Sequence, residues 1–477
     1  MPSTNPDQAL WEQEQLLTKS DREIHPELFI LPNVPVESLQ KRVGIYTTST
    51  PLPKGYLKLS PLDFIVEEIL KDDKVVEVIG NNPPLNPNME GLGTIYASLI
   101  KVGISTLDAI ERITKALELD FKNIGYAGIK DNVAVTGQRI SIRGTTLEKV
   151  KNLKVDGVSL KDISEGKGAI SMGELKGNRF TLLIRTETPL DETVLLERIK
   201  SVSSQGVINF YGAQRFGHPR YLSHYFGSLL LAGKYEDLIH AVICQTSPFE
   251  IPYVTNLRNS ANTIWGNWQE IDKLYSTLPK SLNFERIVLD SLITNTSGNI
   301  WTNAMFVIRE QIKFWARSYA SYLANRLLSE KAKDIVTVEN KDETIPLLLS
   351  QNPENQKPYE QKIQTDGTSN FRYSLRALPY MSLSRDARIT VRIFPEFHQT
   401  KIIPQGVILC FSLPKGSYAT TILASLFDID SNSPSTVSKV LVDTKETLGQ
   451  GSLSEIRTYF SDSLNQIEPN TVDSEEN

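Results

Sequence analysis

One carboxylate stands out by its surroundings. Asp131 lies in Gly125-Tyr-Ala-Gly-Ile-Lys-Asp-Asn-Val-Ala-Val-Thr-Gly-Gln138, between two apolar runs. The run 124–129 reads as a buried strand and 133–142 as a second, which puts Asp131 at the turn of a hairpin. Asp-Asn at 131–132 is turn chemistry, since both residues tolerate unusual backbone angles and bond their own chain. Gly125 and Gly128 admit a second backbone or a ligand at close range. Lys130 puts a cation beside the carboxylate, and a nearby cation keeps a carboxylate ionised. Such a group can act as nucleophile or base. Taken alone, the stretch also fits a surface hairpin with a solvated Lys–Asp pair.

Three further stretches are dense in chemically useful side chains. Lys58-Leu-Ser-Pro-Leu-Asp-Phe64 sets a cation and an aromatic ring six residues apart across a proline turn. Asn209-Phe-Tyr-Gly-Ala-Gln-Arg-Phe-Gly217 mixes amides, aromatics and Arg215. Polar groups so interleaved are costly to bury without partners. They are also what a nucleobase site uses: amides for a base edge, a ring to stack on, arginine for phosphate. Simple packing of an aromatic segment is the competing account. Leu413-Pro-Lys-Gly-Ser-Tyr-Ala-Thr-Thr421 is a glycine turn running into a helix start, where backbone amides can hold an anion.

The elements that must carry these groups can be read in order. Tyr56 to Glu68 gives two short strands broken at Ser60-Pro61. Residues 81–93 form a Pro/Asn/Gly loop, 94–101 an apolar strand, and 105–119 a helix capped by Ser105. After the hairpin come a short helix at 147–153, strands at 155–163, 169–173 and 179–185, and an amphipathic helix at 191–203 with acids in its first turn. From about 221 to 335 the pattern is helical, longest at 303–329, where the aromatic stripe reads as core. Residues 350–372 read as loop, 389–394 and 406–413 as strands, and 417–426 as a helix. This is an α+β pattern with a mixed or antiparallel sheet, interrupted by a largely helical insertion. The expected organisation is an N-terminal arm at 1–41, a catalytic domain at 42–235, an insertion domain at 236–375, a completing segment at 376–430, and an acidic, disordered tail at 431–477. The arm reads as peripheral, and within the tail only 451–463 reads as helix.

Composition narrows the function. The 477 residues suffice for two or three domains. No apolar run reaches a membrane-spanning length, and the polar start does not read as a signal peptide. Two cysteines, Cys244 and Cys410, exclude a disulfide framework and suit a reducing cytoplasm. The five histidines lack metal-ligand spacing, so no metal site is expected. Neither GxGxxG nor GxxxxGK[ST] is present, which removes the common dinucleotide and triphosphate sites. The net charge is −5, but residues 428–477 alone carry 10 acids and 3 bases. The rest of the chain is therefore slightly basic, compatible with a nucleic-acid face.

Together the motifs resemble the TruD family of tRNA pseudouridine synthases. The central family motif A-G-x-K-D-x-x-A-V-T-x-Q is similar to 127–138, N-Y-F-G-x-Q-R-F-G to 209–217, K-G-N-x-F to 176–180, P-x-D-F-x-V-x-E to 61–68, and L-P-x-G-S-[FY]-A-T to 413–420. They stand in the family's order and span 58 to 426. The resemblance implies a split catalytic domain with an insertion, and Asp131 as the essential aspartate. It implies that Phe64, Asn209 and Tyr418 contact the target nucleotide, that Tyr211 holds the place of an active-site aromatic, and that Lys58 lies near the aspartate. Lys130 and Arg215 complete the expected substrate-binding set. The implied reaction isomerises uridine 13 of tRNA to pseudouridine on a flipped-out nucleotide, without a cofactor, in a cytoplasmic monomer. Asn132 replaces the usual Lys or Arg, removing a cation, and Tyr211 replaces the commoner Phe. A non-catalytic RNA-binding protein or chaperone on this scaffold would not need Asp131. A two-carboxylate hydrolase would need a second marked acid. The acidic tail is expected to be dispensable for RNA binding.

Overall fold

Strands rich in Ile, Val, Leu and Phe need a layer over each face of their sheet, and this chain supplies both layers. The computed structural model describes residues 6–46, 51–80, 93–295, 297–334, 341–430 and 433–466. Ten described strands join one sheet: β1 (Lys54–Tyr56), β2 (Phe64–Ile69), β3 (Thr94–Val102), β4 (Ile124–Tyr126), β5 (Val135–Arg143), β6 (Val158–Gly166), β7 (Gly177–Arg185), β8 (Glu396–Ile403), β9 (Gly406–Pro414) and β10 (Asp428–Asp430). The order is β8-β9-β7-β2-β5-β3-β6, with β4 paired to β5 and β1 to β7 and β10. β2 runs parallel to β5, and β1 to β10; the other pairs are antiparallel. The architecture is α+β with a mixed sheet, as the sequence pattern indicates.

Period-two alternation sends neighbouring side chains to opposite faces. On one face, Ala109, Ile110, Ile113 and Leu117 of the helix Thr106–Leu117 pack on Ile95, Ala97, Leu99, Ile140 and Ile142. Ser105 caps that helix by accepting from the Asp108 amide at 3.1 Å. The helices Glu192–Gln205 and Ala419–Leu423 bury Leu195, Ile199, Ile422 and Leu423 with Phe64, Val66, Phe180 and Leu182. Each fully buried Ile, Leu or Phe contributes roughly 1.5–3 kcal/mol.

The opposite face corrects the reading of the tail. Residues 433–466 are packed and carry short helices at Thr444–Thr447, Ser454–Tyr459 and Ser461–Gln466. Leu453, Ile456 and Phe460 lie against Leu62, Ile65, Ile100, Val102 and Val135, and Leu448 lies against Leu183, Ile408 and Cys410. The helical reading at 451–463 matches Ser454–Tyr459 and the start of Ser461–Gln466, and the 453/456/460 spacing puts its apolar side against the sheet. Residues 467–477 lie outside the described part, as do 81–92 from the expected loop.

Other differences have local causes. The first hairpin strand ends at Tyr126, not 129. Residues 169–173 form a turn, not a strand; there Ile170 N donates to Ser141 Oγ (2.9 Å) and Gly173 N to Ala127 O (2.7 Å). The edge strand β8 escaped notice because half its residues face water and read as polar.

Contacts divide the chain into two compact units: Ser49–Val207 with Arg392–Glu476, which holds the sheet, and Met1–Thr48 with Ile208–Val391, which is mainly helical. Their bounds differ from the compositional breaks at 235 and 375. The helix Ser223–Leu231 packs on Arg309–Asp334, and the strand Arg388–Thr390 pairs with Thr344–Pro346, so both flanks belong to the helical unit. The long helix expected at 303–329 is two, Ile300–Val307 and Arg309–Asp334, and 350–372 contains short helical turns. Trp315 and Tyr319 are core, with Leu230, Ile239, Val242, Tyr275 and Leu289. The N-terminal arm is bound to this unit rather than peripheral. Glu14 is buried and accepts from Lys280 N, Ser281 N and Ser281 Oγ at 3.0, 2.7 and 2.6 Å, while Asp21 accepts from Tyr253 OH at 2.6 Å.

Candidate active site

The loop joining β4 to β5, residues 127–134, carries Asp131. Its backbone is held from three sides. Lys130 N donates to Thr106 Oγ1 (2.9 Å), Thr106 Oγ1 donates to Gln138 Oε1 (3.0 Å), and Gln138 Nε2 donates to Gly128 O (3.0 Å). On β3 the Lys101 ammonium donates to Ile104 O (2.7 Å), Asp131 O (2.5 Å) and Lys130 O (3.4 Å). Ala134 N closes the turn onto Asn132 O (2.9 Å). Gln138 belongs to the motif read from sequence. Lys101 and Thr106 were not singled out; the available signal was a lysine inside a strand otherwise buried on both faces.

The carboxylate itself meets Lys58. Lys58 Nζ lies 2.9 Å from Asp131 Oδ1, with the Asp131 side chain 35% exposed. The same ammonium stands 4.6 Å from the Phe64 ring centroid, a cation–π distance. Lys58 adopts φ +58°, a left-handed conformation rare for a side-chain-bearing residue and typical of functional turns. The turn is fixed by Asp63. Its carboxylate takes a fork from Arg185, 2.8 Å on each arm, and the Ser60 amide at 3.2 Å. Burial pushes the Asp63 carboxyl up, and the Arg185 hydrogen bonds and charge oppose it. Phe64 is 2% exposed, edge-on to Phe180, which stacks on Phe411.

Lys130 does not attend Asp131. Its ammonium lies 2.9 Å from Glu68 Oε2, with the two side chains 3% and 0% exposed. Adjacency in sequence misled here, because alternate residues of an extended loop point in opposite directions. Lys130 is therefore an internal ion partner, and Lys58 is the cation at the carboxylate. Glu67, next to Glu68 on β2, faces the other layer and binds Lys445 Nζ (2.8 Å) and Arg179 Nε (2.9 Å). Asn132 turns its Oδ1 into a buried position where it has no partner among the described residues.

Tyr418 sits in the same unit, 47% exposed, in extended conformation at the start of the helix Ala419–Leu423. Asn209, Tyr211 and Arg215 belong to the helical unit. There Asn209 Nδ2 donates to Thr390 O (3.1 Å) and Oγ1 (3.2 Å). Asn325 clips Tyr211 both ways: its Oδ1 accepts from Tyr211 N (2.8 Å) and its Nδ2 donates to Tyr211 O (3.0 Å). The Arg215 guanidinium lies 5.7 Å from the Tyr211 ring and donates to Ser321 Oγ at 3.3 Å. The structure thus brings Asp131, Lys58 and Phe64 together, and separately Tyr211 and Arg215.

Known proteins are similar to this chain over most of its length. The family model described as tRNA pseudouridine synthase D (TruD) matches residues 42–366. The "Probable tRNA pseudouridine synthase D" of Methanopyrus kandleri is 28% identical over 368 residues, 72% of this chain and 88% of its own length. The "tRNA pseudouridine synthase D" of Aquifex aeolicus is 27% identical over 376 residues, 70% and 92%. The crystal structure of a putative tRNA pseudouridine synthase D from Methanosarcina mazei matches with a TM-score of 0.63 at 23% identity, covering 83% of this chain and 99% of that one, and it supports the fold. These matches place the chain among the enzymes that isomerise uridine in tRNA to pseudouridine. Within that class it belongs to the TruD family.

Proposed function

We propose that this enzyme converts uridine 13 of tRNA to pseudouridine, with Asp131 as its catalytic carboxylate. The observation that carries the reading is the Lys58–Asp131 pair: an accessible carboxylate, gripped by one cation, on a loop whose backbone is fixed by buried groups. The reaction breaks the C1′–N1 bond, turns the uracil and joins C5 to C1′, while the C5 proton is lost and N1 gains one. Atoms and electrons balance within the substrate, so no cofactor enters. Asp131 acts at the sugar, and the Lys58 ammonium holds its carboxylate in place at 2.9 Å.

The target nucleotide leaves its stack to reach such a loop. Tyr418, exposed at a helix start, supplies a ring against which it stacks, worth roughly 1–3 kcal/mol. Asn209, Tyr211 and Arg215 are assigned to the RNA by their motif, and Phe64 supports Lys58 from beneath. Both cysteines are free and buried, in keeping with a reducing cytoplasm, and we take the working form as a monomer.

Asp131→Asn tests the assignment. It is expected to abolish tritium release from 5-tritiated uridine in tRNA while tRNA affinity stays within about twofold, because an essential nucleophile carries most of the rate. Turnover by that variant would remove Asp131 from the mechanism. Mapping pseudouridine in tRNA from cells with and without the gene tests position 13.

A further inference from the structure

Lys101 is the one fully buried lysine of β3, and its ammonium is directed at main chain. Lysine is almost never fully buried without a compensating role, because the ammonium loses its hydration. A methionine or leucine would pack in the same strand without that loss. What the ammonium does instead is specific. It gathers the carbonyls of Ile104, Lys130 and Asp131, joining the end of β3 to the residue that carries the carboxylate. Asp131 is thus held at both ends by different cations, its carbonyl by Lys101 at 2.5 Å and its carboxylate by Lys58 at 2.9 Å.

We propose that Lys101 is a positioning residue for pseudouridine formation, which holds the Asp131 backbone so that the carboxylate meets the ribose in register. The inference rests on the assignment of Asp131 as the catalytic carboxylate. The Lys58 contact fixes the carboxylate end of Asp131 but not its own main chain. With the carbonyl also held by Lys101, the main chain that carries the carboxylate is tied to β3. Thr106 and Gln138 hold the loop main chain at Lys130 and Gly128, and Gly103 N holds it at Ala134 O (3.4 Å), while Lys101 is the side chain that takes the Asp131 carbonyl itself.

Lys101→Met and Lys101→Gln test this in the full-length protein, with single-turnover pseudouridine formation on an unmodified tRNA transcript at saturating enzyme. The rate with Lys101→Met is expected to fall about 100-fold, the size of effect that misplacement of a reacting group by about 1 Å produces. Dissociation constants for the same transcript are expected to stay within about twofold, since Lys101 is buried and touches no RNA. Lys101→Gln keeps a neutral donor at the carbonyls and is expected to recover part of the rate. A folded Lys101→Met with wild-type single-turnover rate overturns the proposal, as does a loss of rate matched by an equal loss of tRNA binding. Where Lys101→Met does not fold, Lys101→Gln decides: full rate overturns the proposal, and a slowed rate with intact binding supports it. Asp131→Asn, run alongside, separates the two claims. An active Asp131→Asn removes the catalytic assignment itself, whereas an inactive Asp131→Asn with a fast Lys101→Met removes only the role of Lys101.

Discussion

The Asp131 loop and the 209–217 segment are both polar turns rich in functional groups, yet they are held by different means. Around Asp131 the fixing groups include buried charges, Lys101, the Lys130–Glu68 pair and the Asp63–Arg185 fork, beside the neutral Thr106 and Gln138. Around Tyr211 they are neutral amides and hydroxyls: Asn325, Ser318 and Ser321. Buried charges are expensive and sensitive to geometry, because each lost partner leaves an uncompensated ion. Neutral amide clips are weaker and more forgiving. The charged scaffold surrounds the group proposed to react, and the neutral scaffold surrounds groups proposed to recognise. Tight placement matters most where a bond is made.

The two regions are expected to respond differently to loss of one support. The largest effect is expected from Lys130→Met, which leaves Glu68 buried without its ion partner. Breaking a buried pair costs about 3–5 kcal/mol, and the Arg139 amide that Glu68 also accepts sets the expectation near the lower end. Urea unfolding of the sheet-bearing unit measures it; a loss below about 1 kcal/mol would contradict the charged-scaffold picture. Asn325→Ala should cost less, roughly 2–3 kcal/mol, since it unpairs the Tyr211 amide and carbonyl and the Val43 carbonyl, all neutral. It should weaken tRNA binding while single-turnover chemistry on bound RNA persists.

A pH effect sharpens the same comparison. His224 stacks on Tyr322 at 4.7 Å and meets Phe216 of the 209–217 segment edge-on at 5.6 Å. Burial, with the Arg42 charge adding to it, pushes its pKa down to about 3. The unfolded chain takes up that proton near pH 6.5 and the folded chain does not, so the contribution is complete above about 6.5 and lost as pH falls toward 3. Urea midpoints between pH 7 and 4.5 should decline more steeply in the wild type than in His224→Phe, by up to one proton's worth of slope. The smallest effect is expected from Asn132→Lys, which restores a cation to the loop. It should raise tRNA affinity a few-fold at low salt and steepen the salt dependence by about one ion. Unchanged affinity would show that position 132 does not face the phosphates.

Much of this was legible in the residues, and the failures were systematic. Asp131, Lys58 and Phe64 converge as their motifs indicate, because short-range turn chemistry and apolar runs are local signals. Lys130 misled because proximity along the chain says nothing of direction. Lys101 passed unread because strand periodicity counts a charge as an interruption, not as a clasp. The C-terminal segment was misjudged on its acids, although Leu453, Ile456 and Phe460 already carried the spacing of a buried face. Average composition describes what faces water, while a few apolar residues decide whether a segment packs.

That segment also has a consequence in time. β1 to β7 are synthesised before residues 208–391 of the helical unit, β8 and β9 after them, and the covering residues 448–460 later still. Until those residues emerge, Leu62, Ile65, Ile100, Val102 and Val135 lack the cover that Leu453, Ile456 and Phe460 give them. A nascent chain stalled before residue 448 would display an apolar sheet face beside the Asp131 loop, the kind of surface that chaperones hold and that aggregates when they do not. Closure of this sheet face thus waits on the synthesis of residues 448–460.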